Sequence, residues 1–184
     1  MGKEFSRRSF LKTGTAAALG MAMTPEILMG KSKKKADPKP LDRKLKILGV
    51  GIGGRGAAVL KGMESEEIIG LCDVDWKYAQ RVFDRYPNAK RYNDYKVMFA
   101  ELLDEADAVM VATADHTHAI IAAEAIAAGK HVYVEKPLTH SVYESRLLTK
   151  LAKKHNVVTQ MGNQGASGEG VMKACEWIWN GEIG

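Results

Sequence analysis

The residues whose types and spacing could do chemistry begin at Gly51-x-Gly53-x-x-Gly56, within Lys46-Ile47-Leu48-Gly49-Val50-Gly51-Ile52-Gly53-Gly54-Arg55-Gly56. An apolar run, Leu45 to Val50, enters the glycines, and Val59, Leu60 and Met63 supply an apolar face after them. That is a strand, a tight turn and a helix. Gly51 permits the turn, Gly53 lets the backbone approach a pyrophosphate, and Gly56 lets the helix pack on its strand. The free N–H groups and partial positive charge of the helix N-terminus suit phosphate. The turn residues Gly51, Ile52, Gly53, Gly54, Arg55 and Gly56 are therefore candidate contacts to a dinucleotide. Asp73 ends a second apolar run, Ile68 to Cys72, at about the 20-residue distance at which an acid meets the adenosine ribose. A carboxylate there accepts both ribose hydroxyls of NAD and repels the 2′-phosphate of NADP. NAD is the expected cofactor, with NADP the alternative.

These residues need a frame that carries strand ends to one edge. After Asp73, Trp76–Tyr86 reads as a helix that Asp75 can cap and Pro87-Asn88-Ala89 breaks. Asp94 can cap a helix from Tyr95 to Leu103. Ala108–Ala112 is a continuous apolar run, as in a buried parallel strand. His116–Ala128 is an alanine-rich helix ended by Gly129, and His131–Glu135 is the next strand. Ser141-x-x-Glu144 has the capping-box spacing, and Leu147, Leu148, Leu151, Ala152 and His155 follow at helical intervals. Val157–Met161 reads as a further strand, and a glycine-rich loop, Gly162–Gly170, leads to a last helix, Val171–Asn180. Strands alternating with helices imply an α/β fold, a Rossmann-type doubly wound parallel sheet with helices on both faces. Ligands in such sheets bind at the carboxyl ends of the strands. That rule nominates Thr113–His118, Glu135–Pro137 and Gly162–Gln164 beside the glycine turn and Asp73, with Thr113, Asp115, His118, Glu135, Lys136, Asn163 and Gln164 the candidate cofactor contacts.

Residues 1–30 read as an export signal. Ser6-Arg7-Arg8-Ser9-Phe10-Leu11-Lys12 precedes a mildly apolar run from Thr13 to Met23, the pattern of a twin-arginine signal. The run is shorter than the ~20 apolar residues of a membrane span, and no cysteine near it indicates a lipid anchor, so a periplasmic or otherwise exported protein without a stable membrane anchor is expected. Residues 31–44 read as a basic, solvated linker. Residues 45–184 read as one dinucleotide-binding domain, an ordinary length for one core. The formal net charge is +5, but residues 1–44 carry +7 and the remainder −2. The basic excess belongs to the leader and argues against a nucleic-acid partner. Cys72 and Cys175 are read as two buried, unpaired thiols, and no metal-ligand spacing is present.

In order, the glycine turn, Asp73, Thr113-Ala114-Asp115-His116-Thr117-His118 and Ala128-Gly129-Lys130-His131-Val132-Tyr133-Val134-Glu135-Lys136-Pro137 resemble the N-terminal domain of the Gfo/Idh/MocA family, the glucose–fructose oxidoreductase and inositol dehydrogenase type. The resemblance runs from Leu45 to Gly184. It implies a two-domain oxidoreductase of sugars, polyols or related compounds that uses NAD or NADP and is a homo-oligomer in its full-length form. It implies that Lys136 is the catalytic residue, hydrogen-bonding the reacting hydroxyl or carbonyl beside the nicotinamide. Glu135 would hold that lysine's orientation, and His118 would line the cofactor or substrate side of the cleft. Ala114 departs from the proline common in the family. The family's second α+β domain, which carries substrate contacts and a further acid–base residue, is expected to be absent from this chain. A glycoside-cleaving enzyme that reduces and reoxidises bound NAD is the alternative activity; the relatives known for it lack the lysine of Glu-Lys-Pro. A non-catalytic nucleotide-binding domain is the alternative of another class.

Overall fold

The structure, a computed structural model, describes residues 42–183. The export signal and most of the linker lie outside the described residues. Arg43 onward is one compact unit. Its strands are β1 (Lys46–Val50), β2 (Glu67–Cys72), β3 (Lys90–Tyr92), β4 (Ala108–Val111), β5 (His131–Glu135) and β6 (Thr159–Gly162). Its helices are α1 (Gly54–Lys61), α2 (Trp76–Arg85), α3 (Tyr95–Leu102), α4 (His118–Ala127), α5 (Val142–His155) and α6 (Glu169–Trp179). Short 3₁₀ turns at Asp115–Thr117 and Gln164–Ser167 precede α4 and α6.

The strands form one parallel sheet in the order β3-β2-β1-β4-β5-β6. The chain leaves β1 towards β2 and β3, then returns to β4 on β1's other side. Strand order reverses between β1 and β4, and the crevice above a reversal is where such sheets bind ligands. The central strands are buried on both faces, so they read as unbroken apolar runs. Along β1, Ile47 belongs to one core and Leu48 and Val50 to the other. Along β4, Met110 and the pair Val109 and Val111 divide the same way. The first face is closed by α1 and α2 through Val59, Leu60, Ala79, Val82 and Phe83. The second is closed by α3, α4 and α5 through Met98, Phe99, Leu102, Ile121, Ala125, Ile126 and Leu148. The doubly wound arrangement expected from the alternation is present.

Local chemistry sets the helix ends. Asp75 accepts from the Tyr78 N–H at 2.9 Å and Asp94 from the Lys96 N–H at 2.8 Å, capping α2 and α3. Ser141 and Glu144 form the reciprocal capping box at the start of α5.

Three differences from the sequence reading have physical reasons. β3, Lys-Arg-Tyr, is an extra strand; it sits at the sheet edge with two exposed residues, so it carries no apolar run to read. Residues 115–117 form a 3₁₀ turn rather than the first turn of α4. Arg43, assigned to the linker, makes a paired contact with Asp107, its two terminal nitrogens 2.6 and 2.7 Å from the carboxylate oxygens. Asp107 also accepts the Lys46 N–H at 2.8 Å, which anchors the start of β1 beside β4.

Candidate dinucleotide site

The glycine turn joins β1 to α1 and lies over the strand-order reversal. Gly51 has φ of 74°, a conformation costly for any residue with a Cβ. A Cβ there would lie 2.6 Å from the Thr113 nitrogen, so the turn also needs glycine to pack on the β4 exit. A Cβ at Gly56 would collide with the Gly51 carbonyl oxygen, which is the close helix–strand packing expected of the third glycine. Gly53 differs from expectation. Its bare face is covered by the ring of Tyr78, which a Cβ there would strike, and the Tyr78 hydroxyl would lie 2.7 Å from a Cβ on Gly54.

Asp73 follows β2, and its carboxylate is tied to the turn. Oδ2 accepts the Gly53 N–H at 2.8 Å and Oδ1 accepts the Asp75 N–H at 3.0 Å. Each carboxylate oxygen has further lone-pair capacity, so Asp73 can hold the turn and still receive ribose hydroxyls. The cleft beside it has a volume of about 880 Å³. Gly51, Gly53, Asp73 and Thr113 line it, as the strand-end rule requires. Val74, Tyr78, Asn93, Asp94, Tyr95 and Ile120 line it too, and sequence reasoning missed them. Asn93 to Tyr95 follow β3, so recognising that short strand would have nominated them. Among the described residues its lining carries the acids Asp73 and Asp94 and no lysine or arginine. The Cβ-free turn, the anchored acid and the acidic wall fit a dinucleotide of the NAD type.

The Cys72 thiol is buried beneath this cleft. Burial first, then the charges of Asp73 and Asp94, pushes it up to about 12, so it stays protonated. Cys175 is also unpaired but only half buried, less than the sequence reading expected.

The Glu-Lys-Pro segment ends β5. Glu135 is buried, and its carboxylate does not pair with the Lys136 ammonium. Oε1 accepts from Arg55 Nε at 3.1 Å and from Gln164 Nε2 at 3.2 Å. Oε2 accepts the backbone N–H of Lys136 at 3.2 Å. Glu135 therefore positions Lys136 through its backbone, and it ties three strand-end segments together. Gly162 belongs to this cluster, since a Cβ there would be 2.8 Å from Glu135 Oε1. Lys136 is exposed and precedes a cis peptide bond to Pro137. Asn163 is exposed next to Gln164, and Asp115 is exposed at the start of its 3₁₀ turn.

His118 does not line the cleft. It is 1% exposed, with Nδ1 2.6 Å from the Pro137 carbonyl oxygen and Nε2 3.0 Å from that of Thr113. Both ring nitrogens are engaged by backbone, so the side chain joins the β4 exit to the loop carrying Lys136. The site thus has two parts: an adenosine-side cleft between β1, β2 and β4, and the Glu135 cluster at the ends of β5 and β6.

Residues 43–163 match the oxidoreductase family of the NAD-binding Rossmann fold, Gfo/Idh/MocA. Residues 4–24 match the twin-arginine translocation signal, which indicates export by that route. A glycosyl hydrolase family 109 protein of Akkermansia muciniphila is 30% identical, with 87% of this chain and 41% of that protein covered. Inositol 2-dehydrogenase of Salmonella typhimurium is 28% identical, with 73% of this chain and 41% of the relative covered. The crystal structure of myo-inositol 2-dehydrogenase from Lactobacillus plantarum superposes with a TM-score of 0.68 at 23% identity, over 77% of this chain and 43% of that one. The chain spans about two fifths of the length of the curated relatives it matches.

Proposed function

The chain belongs to the Gfo/Idh/MocA oxidoreductase family, and from that premise we propose that it is the cofactor-binding half of an exported NAD-dependent dehydrogenase of sugars, polyols or related compounds. The proposed division is residues 1–30 as the export signal, 31–44 as a linker and 45–184 as the NAD domain, with Arg43 at the linker's end paired to Asp107 of the domain. The observation that carries the reading is the Arg55–Glu135 ion pair. It couples the turn that would hold the pyrophosphate to the segment that presents Lys136.

NAD supplies the hydride acceptor. The glycine turn would hold the pyrophosphate through backbone N–H groups other than that of Gly53, which donates to Asp73, and Asp73 would hold the adenosine ribose. Thr113, at the exit of β4, lines the same cleft and would contact the bound cofactor. Lys136 Nζ holds the substrate oxygen and accepts or returns its proton, while Glu135 fixes the lysine's backbone. Gln164, and Asn163 beside it, complete the cluster at the end of β6. The enclosure of the substrate is assigned to a second domain, consistent with α6, which has no buried residue and exposes Met172, Trp177, Ile178 and Trp179. A homo-oligomer is the assembly this reading expects.

The test uses the protein with its second domain, assayed at 340 nm against a panel of polyols and aldoses. Lys136→Met should lower kcat by roughly 10²–10⁴, the contribution of a positioned acid–base group. NAD affinity should hold, because phosphates and ribose are bound elsewhere. A folded variant with near-normal kcat overturns the catalytic assignment.

A second reading has a specific support, the relatives named for glycosyl hydrolase family 109. An enzyme that reduces and reoxidises its own NAD cleaves a glycoside with no net change at 340 nm. Glycoside release without net NADH would decide for that reading.

A further inference from the structure

Tyr78 is the third residue of α2, and three hydrogen bonds place it. Asp73 accepts from the N–H groups of both Gly53 and Asp75, and the Asp75 side chain accepts the Tyr78 N–H. The start of α2 is thereby locked to the glycine turn, and the Tyr78 ring lies across the Cα faces of Gly53 and Gly54. Gly54 is the first residue of α1, where helix N–H groups have no intrahelical partner. The residue is 65% exposed although its ring packs on the turn. Its hydroxyl makes no hydrogen bond to protein among the described residues. A phenol aimed at the phosphate-binding end of a helix, with its donor free and its ring on the cleft wall, is placed for a ligand rather than for the core.

We infer that Tyr78 is a further cofactor-binding residue, whose hydroxyl donates to the pyrophosphate held at the start of α1 while its ring walls the adenosine side of the cleft. The inference rests on the assignment of the glycine turn to NAD. It also gives Gly53 and Gly54 a second reason to lack side chains: a Cβ at either position would displace the ring that completes the groove.

Titration calorimetry on this chain tests it with three probes: NADH, ADP-ribose and adenosine. Removing a hydrogen bond to a charged group should weaken binding about tenfold. Tyr78→Phe should therefore bind NADH and ADP-ribose about tenfold more weakly, bind adenosine as before, and keep the melting temperature. Tyr78→Ala should lose more with NADH and ADP-ribose. Unchanged NADH affinity in Tyr78→Phe overturns the inference alone, as does an equal loss for adenosine, which has no phosphate. Failure of the unsubstituted chain to bind any of the three overturns the NAD assignment, and the inference with it.

Discussion

Arg55, in the first turn of α1, donates from Nε to Glu135 Oε1 at 3.1 Å, across the ends of β1, β4 and β5. Glu135 is 5% exposed at its side chain and Arg55 47%. The carboxylate has given up its water, whereas the guanidinium has kept much of its own. The pair is thus one-sided: its removal costs mainly through the buried acid left behind.

Arg55→Leu should therefore lower stability by about 1–3 kcal/mol, less than a fully buried pair because the arginine is half solvated. Adding Glu135→Gln should recover part of that loss by removing the unpaired charge. Chemical denaturation of the two single variants and the double variant measures the coupling. Strictly additive losses would mean that the pair contributes nothing.

Asp73 anchors Gly53 and Asp75 and faces the cleft. Asp73→Ala should weaken NADH binding by on the order of 1–3 kcal/mol, as for a lost charged hydrogen bond. It should also lower the melting temperature, because two backbone N–H groups lose their acceptor. The unsubstituted chain should bind NADH more tightly than NADPH. Calorimetry showing the reverse preference would contradict the role given to this acid.

Asp107 is held well below the usual carboxylate range, first by the hydrogen bonds from Arg43 and then by the Lys46 N–H. Its folded-state pKa is below the unfolded value of about 3.9. The stabilisation is therefore fully present above that value and is lost as pH falls through the folded pKa. Asp107→Asn should be clearly less stable than the unsubstituted chain at pH 7. The two melting curves should converge progressively below pH 4.

Cys72, pushed up to about 12 mainly by burial, should resist a thiolate-dependent reagent at pH 8 in the native chain. The half-buried Cys175 should react first. Thiol counting with Ellman's reagent should show a slow site that becomes fast on denaturation. Equal native rates for the two thiols would show that the cleft floor opens readily.

The sequence by itself determined the parallel sheet, because strands buried on both faces must be continuous apolar runs, and Ala108–Val111 and Ile68–Cys72 are such runs. It also determined the turn: only glycine tolerates the Gly51 backbone, and only glycine at 56 lets α1 lie on β1. The position of Asp73 at the end of β2 was legible because a strand–turn–helix–strand unit has nearly fixed length. Tertiary structure alone decided what these side chains touch. Glu135 and Lys136 are chain neighbours, yet consecutive residues at a strand end point apart, so the carboxylate meets Arg55, 80 positions away. His118 follows Thr113 closely in sequence, but its second partner is the Pro137 carbonyl, in the loop after the next strand. Tyr78 carries no pattern of its own. Its place over Gly53 exists only because Asp73 and Asp75 lock one crossover helix to the turn before another.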